Sequence, residues 1–164
     1  VHQWRQQNSA KWKKCLEYMD EHAAERMMHE AVCSMVHLNR NGAKLLLKHS
    51  AHACTDVTGF GILGHAQNLS DNQVLPVGLE IHTLPCIAGT AAINDNVLNF
   101  RLRVGYSAET SGGLMVCMGK DNAEAFCKEF RELNGGRESW IIGNVVESKE
   151  RKSRILEDAT ILEV

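Results

Sequence analysis

Residues 54–65, with the sequence CTDVTGFGILGH, constrain the fold and function of this chain more than any other stretch. They place the carboxylate of Asp56 beside two threonines, three glycines and a histidine. Glycine is kept where the backbone takes a positive φ or where another group comes close, so these residues predict a tight turn next to a ligand. A helix is predicted over 62–69. If it begins at Gly61, its free N–H groups and its dipole would point toward an anion.

Residues 59–64 also match G-x-G-x-x-G, the spacing of dinucleotide-binding loops, and Glu80 lies about where the ribose-binding acid of such a loop occurs. That loop needs an apolar strand running into its first glycine, whereas residues 55–58 are mostly polar. The helix that follows is short, and Pro76 interrupts the segment that would form the second strand. We therefore reject a dinucleotide-binding site.

The complete stretch resembles T-D-V-T-G-F-G-x-x-G-H, the signature of the selenophosphate synthetases, or selenide, water dikinases. Three further stretches agree with that family in the same order. Residues 35–40, MVHLNR, resemble its M-x-x-L-N-R helix, and residues 109–114, ETSGGL, resemble its T-S-G-G-L segment. Residues 140–143, WIIG, resemble the W-x-I-G strand of its eukaryotic members. The chain thus resembles the C-terminal domain of a eukaryotic-type selenophosphate synthetase, and we expect the N-terminal half to be missing.

Strands and helices are predicted to mix without a regular βαβ rhythm, which indicates an α+β domain. The resemblance implies a more specific fold, that of the C-terminal domain of aminoimidazole ribonucleotide synthetase. In this three-layer α/β/α-type arrangement, helices flank a mixed sheet. Residues 1–19 carry Trp4 and Trp12 without clear periodicity, and we interpret them as a linker arm from the missing N-terminal domain. Residues 20–164 would form the C-terminal synthetase domain.

In the first third of the chain, apolar spacing predicts a long amphipathic helix that Asp20 caps. Its inward face would contain Ala24, Met27, Met28, Ala31, Met35 and Leu38. We interpret the methionines as core residues rather than as a binding surface. Residues 39–42 are expected to break or bend this helix, and a second one would continue to about His49.

In the rest of the chain, strands are predicted at residues 79–82, 114–118, 140–146 and 154–164. Residues 147–153 would join the last two strands as a hairpin. Pro85 suits the first turn of a helix over residues 86–93. Asp121 and Glu124 predict a capping box for another helix, which would end at Gly135 and Gly136.

Composition limits the possible partners of the chain. Its 164 residues fit one domain, and a formal net charge of −2 argues against a surface that binds nucleic acid or membrane through bulk charge. No apolar run approaches the roughly 20 residues needed to cross a bilayer. No C-x-x-C pair occurs among the six cysteines, which we interpret as mostly buried, reduced thiols of a cytoplasmic protein.

The resemblance implies a parent enzyme that makes selenophosphate, AMP and phosphate from ATP, selenide and water. Mg²⁺ and several carboxylates would neutralise the negative charge of such reactants. The family draws most of those carboxylates, a catalytic lysine and a Cys or Sec nucleophile from its N-terminal domain. We therefore expect no catalytic residue in this chain and no activity from it alone. The partner would be the parent's own N-terminal domain, within a homodimer.

Asp56 matches the aspartate of the signature, which the resemblance implies is a Mg²⁺ ligand. From the residues alone, Asp56 could equally cap the following turn. The resemblance places Thr58, Gly59 and Gly61 in the loop beside the ATP phosphates. His65 also matches the signature, but the sequence indicates no role for it other than packing.

Two functions of other classes remain open. The chain could belong to a related ATP-dependent synthetase of the purine-biosynthesis type, since these enzymes share the architecture. The matches to W-x-I-G and L-N-R argue against that function. Alternatively, the chain could be a non-catalytic regulatory or partner domain.

Overall fold

The computed structural model describes all residues from 1 to 164 as an α+β fold of seven helices and five strands. The helices are α1 (His2–Gln6), α2 (Ala10–Cys15), α3 (Glu21–Val36), α4 (Arg40–Lys48), α5 (Gly61–Asp71), α6 (Thr90–Asn96) and α7 (Lys120–Leu133). The strands are β1 (Ala53–Asp56), β2 (Val77–Cys86), β3 (Leu114–Cys117), β4 (Gly143–Glu147) and β5 (Arg154–Glu163). The predicted fold class is confirmed. None of the seven helices combines the length with the apolar character that a membrane span requires.

The strands form two sheets. β1 and β3 are antiparallel, with Asp56 opposite Leu114. The other sheet is mixed and has the order β4-β2-β5, in which β2 is antiparallel to β4 and parallel to β5. The predicted hairpin of β4 and β5 is therefore wrong, because β2 lies between them. Every residue of β2 is buried or half-buried, as expected of a central strand with a partner on each edge.

One hydrophobic core joins the two sheets to α5. Its buried residues are Val57, Ala66, Leu79, Ile81, Leu84 and Met115. Ile81 in the centre of β2 is 1% exposed, and burial of such a side chain contributes about 1.5–3 kcal/mol. Val57 follows β1 directly, so the core holds the start of the turn between β1 and α5.

Helix α3 begins where predicted but buries less than predicted. The Asp20 side chain accepts a hydrogen bond from the Ala23 N–H at 2.6 Å, which confirms the cap. Ala24 is the only buried residue of the helix, whereas Met28 and Met35 are exposed. The predicted inward face is therefore largely wrong, because no second layer of this chain covers it.

The break between α3 and α4 lies at residues 37–39, so Asn39 is part of it as predicted, whereas Asn41 and Gly42 lie inside α4. Asn39 directly precedes α4, and Leu38 beside it is 73% exposed. Gly42 is a buried residue inside α4. A Cβ at position 42 would lie 3.3 Å from the Leu114 side chain, so this glycine allows close packing instead of ending a helix.

The segment 1–19 contains two short helices that pack against the domain. The Ser9 hydroxyl caps α2 by accepting a hydrogen bond from the Trp12 N–H at 3.2 Å. Trp12 is 5% exposed and belongs to a second core with Cys15, Ala24 and Ile93. The segment is thus folded onto α3 and α6 instead of extended. Its predicted role as a linker stays a prediction.

Two predicted helix starts are wrong. Pro85 lies within β2, opposite Leu162 of β5, and the next helix begins only at Thr90. β4 pairs with β2 only as far as Ile81, so a residue without an N–H costs no ladder hydrogen bond on that edge. α7 has Gly119 as its N-cap, and Asp121 lies in the first turn, where its charge complements the helix dipole.

The end of α7 is as predicted, with positive φ at Gly135 and Gly136. The six cysteines are all free, but the expectation that most are buried is wrong. Only Cys15 is buried, and Cys54 is exposed because it alternates along β1 with side chains that face the core.

Candidate functional site

The predicted site residues lie together on one turn. Asp56 is the last residue of β1, Thr58 and Gly59 follow it, and Gly61 is the first residue of α5. Val57 is buried, with 6% exposure. Because side chains alternate along a strand, this burial directs Asp56 to the opposite, solvent-exposed side.

The Asp56 carboxylate has no partner in the chain. Its backbone carbonyl accepts a hydrogen bond from the Thr55 hydroxyl at 3.0 Å, but its side chain forms neither a hydrogen bond nor an ion pair. An aspartate cap would bind an N–H of the following residues. The nearest candidates are occupied, since the Val57 N–H donates to the Gly113 carbonyl and the Thr58 N–H donates to His65. Asp56 therefore does not cap the turn.

His65 holds the turn from inside. It is 7% exposed, and its Nε2 accepts a hydrogen bond from the Thr58 N–H at 2.9 Å. The same Nε2 lies 3.2 Å from the Thr58 hydroxyl. Accepting the amide hydrogen requires an unprotonated Nε2, so the geometry assigns the ring a single neutral tautomer. Sequence reasoning found no role for this histidine. The signals in the sequence were its match to the signature and its position one turn inside a helix that follows a glycine turn.

Residues 105–113 clasp the turn from the other side. Three backbone hydrogen bonds join the two segments: Leu63 N–H to Gly105 C=O at 2.8 Å, Glu109 N–H to Thr58 C=O at 3.0 Å, and Val57 N–H to Gly113 C=O at 3.0 Å. The segment that leads into the clasping residues is also held in place, because the buried Asn94 side chain accepts hydrogen bonds from the N–H groups of Phe100 and Leu102. The signature turn and the E-T-S-G-G segment therefore form one structural unit.

The glycines of the turn have different roles. Gly61 has a φ of 69°, and a Cβ there would lie 2.6 Å from the Gly105 carbonyl oxygen. At Gly64 a Cβ would lie 2.7 Å from the Phe60 side chain. These two glycines serve packing within the chain. At Gly59 nothing lies within 4 Å, so this position is open to an external group.

The expected set of free N–H groups at the start of α5 is only partly present. The Gly61 N–H donates to the Thr58 carbonyl at 3.1 Å, and the Leu63 N–H is taken by Gly105. The prediction of a helix start that presents its amides to an anion is therefore wrong at these two positions. An external anion would meet the turn near Gly59 instead.

The stretch that resembles M-x-x-L-N-R, residues 35–40, also contacts this unit. The Asn39 side chain donates a hydrogen bond to the Gly112 carbonyl at 3.0 Å. Gly112 is buried, and a Cβ there would overlap the carbonyl of Val57. The fourth stretch, residues 140–143, does not take part, since Gly143 begins β4 and pairs with Ile81 at the far sheet.

Glu109 is a further carboxylate at the edge of the turn. Its Oε2 lies 2.8 Å from the position that a Cβ of Gly112 would occupy, so the side chain rests on the backbone there. The side chain reaches the surface, but the surrounding protein removes water from its carboxylate. This desolvation raises the pKa of Glu109.

The chain contains no group of three or more His, Cys, Asp or Glu side chains that could hold a metal ion. The exposed, unpartnered carboxylate of Asp56 fits the role of a single oxygen ligand. A divalent cation at Asp56 would need its other ligands from groups outside this chain, such as substrate phosphates, water or a second domain.

The fold and the clasped turn define the class of this chain. Residues 2–155 match the family described as AIR synthase related protein, C-terminal domain, and the chain belongs to that family. The antiparallel pairing of β1 with β3 also excludes the parallel unit of a dinucleotide-binding fold.

Individual relatives identify the family of this chain more narrowly. The chain is 45% identical to selenide, water dikinase of Dictyostelium discoideum over 170 residues, which cover 99% of this chain and 46% of that protein. It is 42% identical to selenide, water dikinase 2 of Mus musculus over 166 residues, covering 100% of this chain and 36% of the relative. The resemblance inferred from the motifs is confirmed. The chain spans less than half the length of these relatives.

Proposed function

We propose that this chain is the C-terminal domain of an enzyme that makes selenophosphate, AMP and phosphate from ATP, selenide and water. The relatives named selenide, water dikinase, with identities of 42–45% over the chain, support this function over that of a purine-type synthetase. The observation that carries the proposal is the unpartnered Asp56 carboxylate on a turn that is otherwise bonded internally. A charged group kept rigid and exposed in this way is suited to an external ligand.

The chemical task of Asp56 follows from the charge of the reactants. Triphosphate and selenide are anions, and Mg²⁺ supplies the positive charge that lets them approach. Asp56 would hold one side of that ion. Gly59, whose Cα faces open space, would let a phosphate oxygen approach the backbone, while Thr58 and Gly61 keep the turn in shape.

The other parts of the active site would come from an N-terminal half, and the greater length of the relatives supports the presence of a further domain. That half would supply the remaining Mg²⁺ ligands, the catalytic lysine and the nucleophile. We further propose that the parent is a cytoplasmic homodimer. The six free cysteines support a reducing compartment.

Complementation tests the proposal. A two-domain enzyme is made by joining this chain to the N-terminal half of the Dictyostelium discoideum relative, and AMP formation from ATP is measured with and without selenide. We expect selenide-dependent AMP formation from the two-domain enzyme and none from the chain alone. Activity of the isolated chain would contradict the division of labour between the halves. A two-domain enzyme that melts cooperatively but forms no AMP would favour the regulatory-domain alternative.

A further inference from the structure

We propose that His65 is a positioning residue, which sets the affinity for Mg²⁺ at Asp56 by holding the Thr58 amide. This inference rests on the proposed function, since it assigns Asp56 to the metal. It concerns a residue that touches neither the metal nor the substrate.

The first step is that His65 supplies the only side-chain hydrogen bond to residues 57–60. The other hydrogen bonds that hold these residues come from the backbone of Gly113, Glu109 and Gly61. Substitution of a side chain leaves those backbone groups in place. The hydrogen bond from Thr58 to His65 is therefore the one contact of residues 57–60 that a side-chain substitution can remove while the turn residues stay unchanged.

The second step is the short path from His65 to Asp56. Thr58 and Asp56 are separated by Val57 alone, and Val57 is buried in the core. With the core and the Gly113 carbonyl fixing Val57, and His65 fixing Thr58, the backbone after Asp56 has little freedom. Loss of the His65 bond would free the Thr58 N–H, which could then bind the Asp56 carboxylate as an ordinary aspartate turn. His65 thus keeps Asp56 free for an external ligand.

The third step is that a neutral acceptor is needed at the position of Nε2. In a glutamine at position 65, the amide oxygen can reach about as far as Nε2 and can accept the Thr58 hydrogen. An asparagine carries the same amide one methylene closer to the backbone and falls short of Thr58. His65→Gln and His65→Asn therefore form a matched pair that differs in reach and not in chemistry.

The kinetic test uses the two-domain enzyme and measures AMP formation at varied Mg²⁺. We expect His65→Asn to raise the half-saturating Mg²⁺ concentration by up to about tenfold, the factor that corresponds to a hydrogen bond of typical net strength. His65→Gln should stay within about twofold of the wild type. A merely structural role would reduce the active fraction and the melting temperature but would leave the half-saturating concentration unchanged.

A spectroscopic test uses the chain itself and does not depend on activity. Long-range ¹H–¹⁵N spectra should show His65 protonated at Nδ1 and unprotonated at Nε2. Hydrogen exchange of the Thr58 amide should be slow in the wild type and in His65→Gln, and fast in His65→Asn. A protonated Nε2, or equal protection in both variants, would overturn the proposed contact.

The outcomes separate this inference from the proposed function. If the wild-type two-domain enzyme is active and Asp56→Asn lowers its activity, but His65→Asn has a normal Mg²⁺ dependence, the role of His65 is wrong and the proposed function stands. If the wild-type two-domain enzyme forms no AMP with selenide, the proposed function fails and the inference fails with it. If His65→Asn does not fold, His65→Gln still tests the inference. A raised half-saturating Mg²⁺ concentration in His65→Gln would show that a neutral acceptor at this position is not sufficient, and would overturn the proposed role.

Discussion

The backbone of Gly112 lies directly against the carbonyl group of Val57, with no room for a side chain between them. This contact locks the E-T-S-G-G segment onto the signature turn. We expect Gly112→Ala to lower the free energy of unfolding by at least about 1–3 kcal/mol, the usual cost of forcing extra volume into a packed site. Chemical denaturation of the chain measures this change.

The neighbouring glycine is a matched control. Gly113 is exposed, and nothing lies within 4 Å of a Cβ placed there. Its carbonyl accepts the Val57 N–H, and alanine would keep that bond. Gly113→Ala should change stability by no more than about 0.5 kcal/mol. Equal losses in the two variants would mean that the contact at Gly112 is not the cause.

The parts of the fold that sequence predicted correctly depend on neighbours in the chain. Asp20 caps α3 by binding an N–H three residues away, and the glycines after α7 take positive φ as local rules require. The errors arise where a distant segment decides. Pro85 is in a strand because β5 pairs with that part of β2. β4 and β5 do not pair with each other because β2 lies between them.

The same distinction applies to the site. Asp56 and Gly59 could be found because the signature contains them in one stretch. Asn39 and Gly112 are 73 positions apart in the sequence, so no local pattern reveals the hydrogen bond between them. The role of His65 depends on where α5 places its ring relative to the Thr58 N–H, and this geometry cannot be derived from the order of the residues.

The glycines of the turn provide a second prediction. Gly61→Ala should destabilise the chain, because its φ of 69° is unfavourable for alanine and its Cβ would meet the Gly105 carbonyl. Gly59→Ala should leave the melting temperature unchanged, since its Cβ would meet no atom of the chain. In the two-domain enzyme, Gly59→Ala should raise the KM for ATP several-fold if a phosphate lies against that backbone. An unchanged KM would argue that the phosphates lie elsewhere.

The raised pKa of Glu109 provides a third prediction. The folded state disfavours the charged carboxylate, so the stability contributed by the neutral form is present at low pH and lost as the pH rises through the pKa of the folded state. Glu109→Gln should therefore raise the melting temperature at pH 8, and the gain should shrink toward pH 4. Glu132→Gln, at an exposed position without a partner, is the control. A gain that does not vary with pH would contradict desolvation as the cause.

The last prediction concerns Asp56, whose carboxylate has no partner in the chain. Asparagine keeps its size and its turn propensity but removes the charge. Because no internal hydrogen bond or ion pair depends on the carboxylate, Asp56→Asn should change the stability of the chain by no more than about 0.5 kcal/mol. Asp158→Asn, at another exposed aspartate without a partner, should behave in the same way.

The two variants should differ in the two-domain enzyme. Loss of one preorganised charge at a reacting phosphate typically costs a factor of about 10²–10³ in turnover, so Asp56→Asn should lower selenide-dependent AMP formation by at least about a hundredfold. Asp158→Asn should retain wild-type turnover. Excess Mg²⁺ should recover part of the Asp56→Asn activity if the loss lies in metal binding. Near-wild-type turnover of Asp56→Asn would show that the free carboxylate has no part in the reaction.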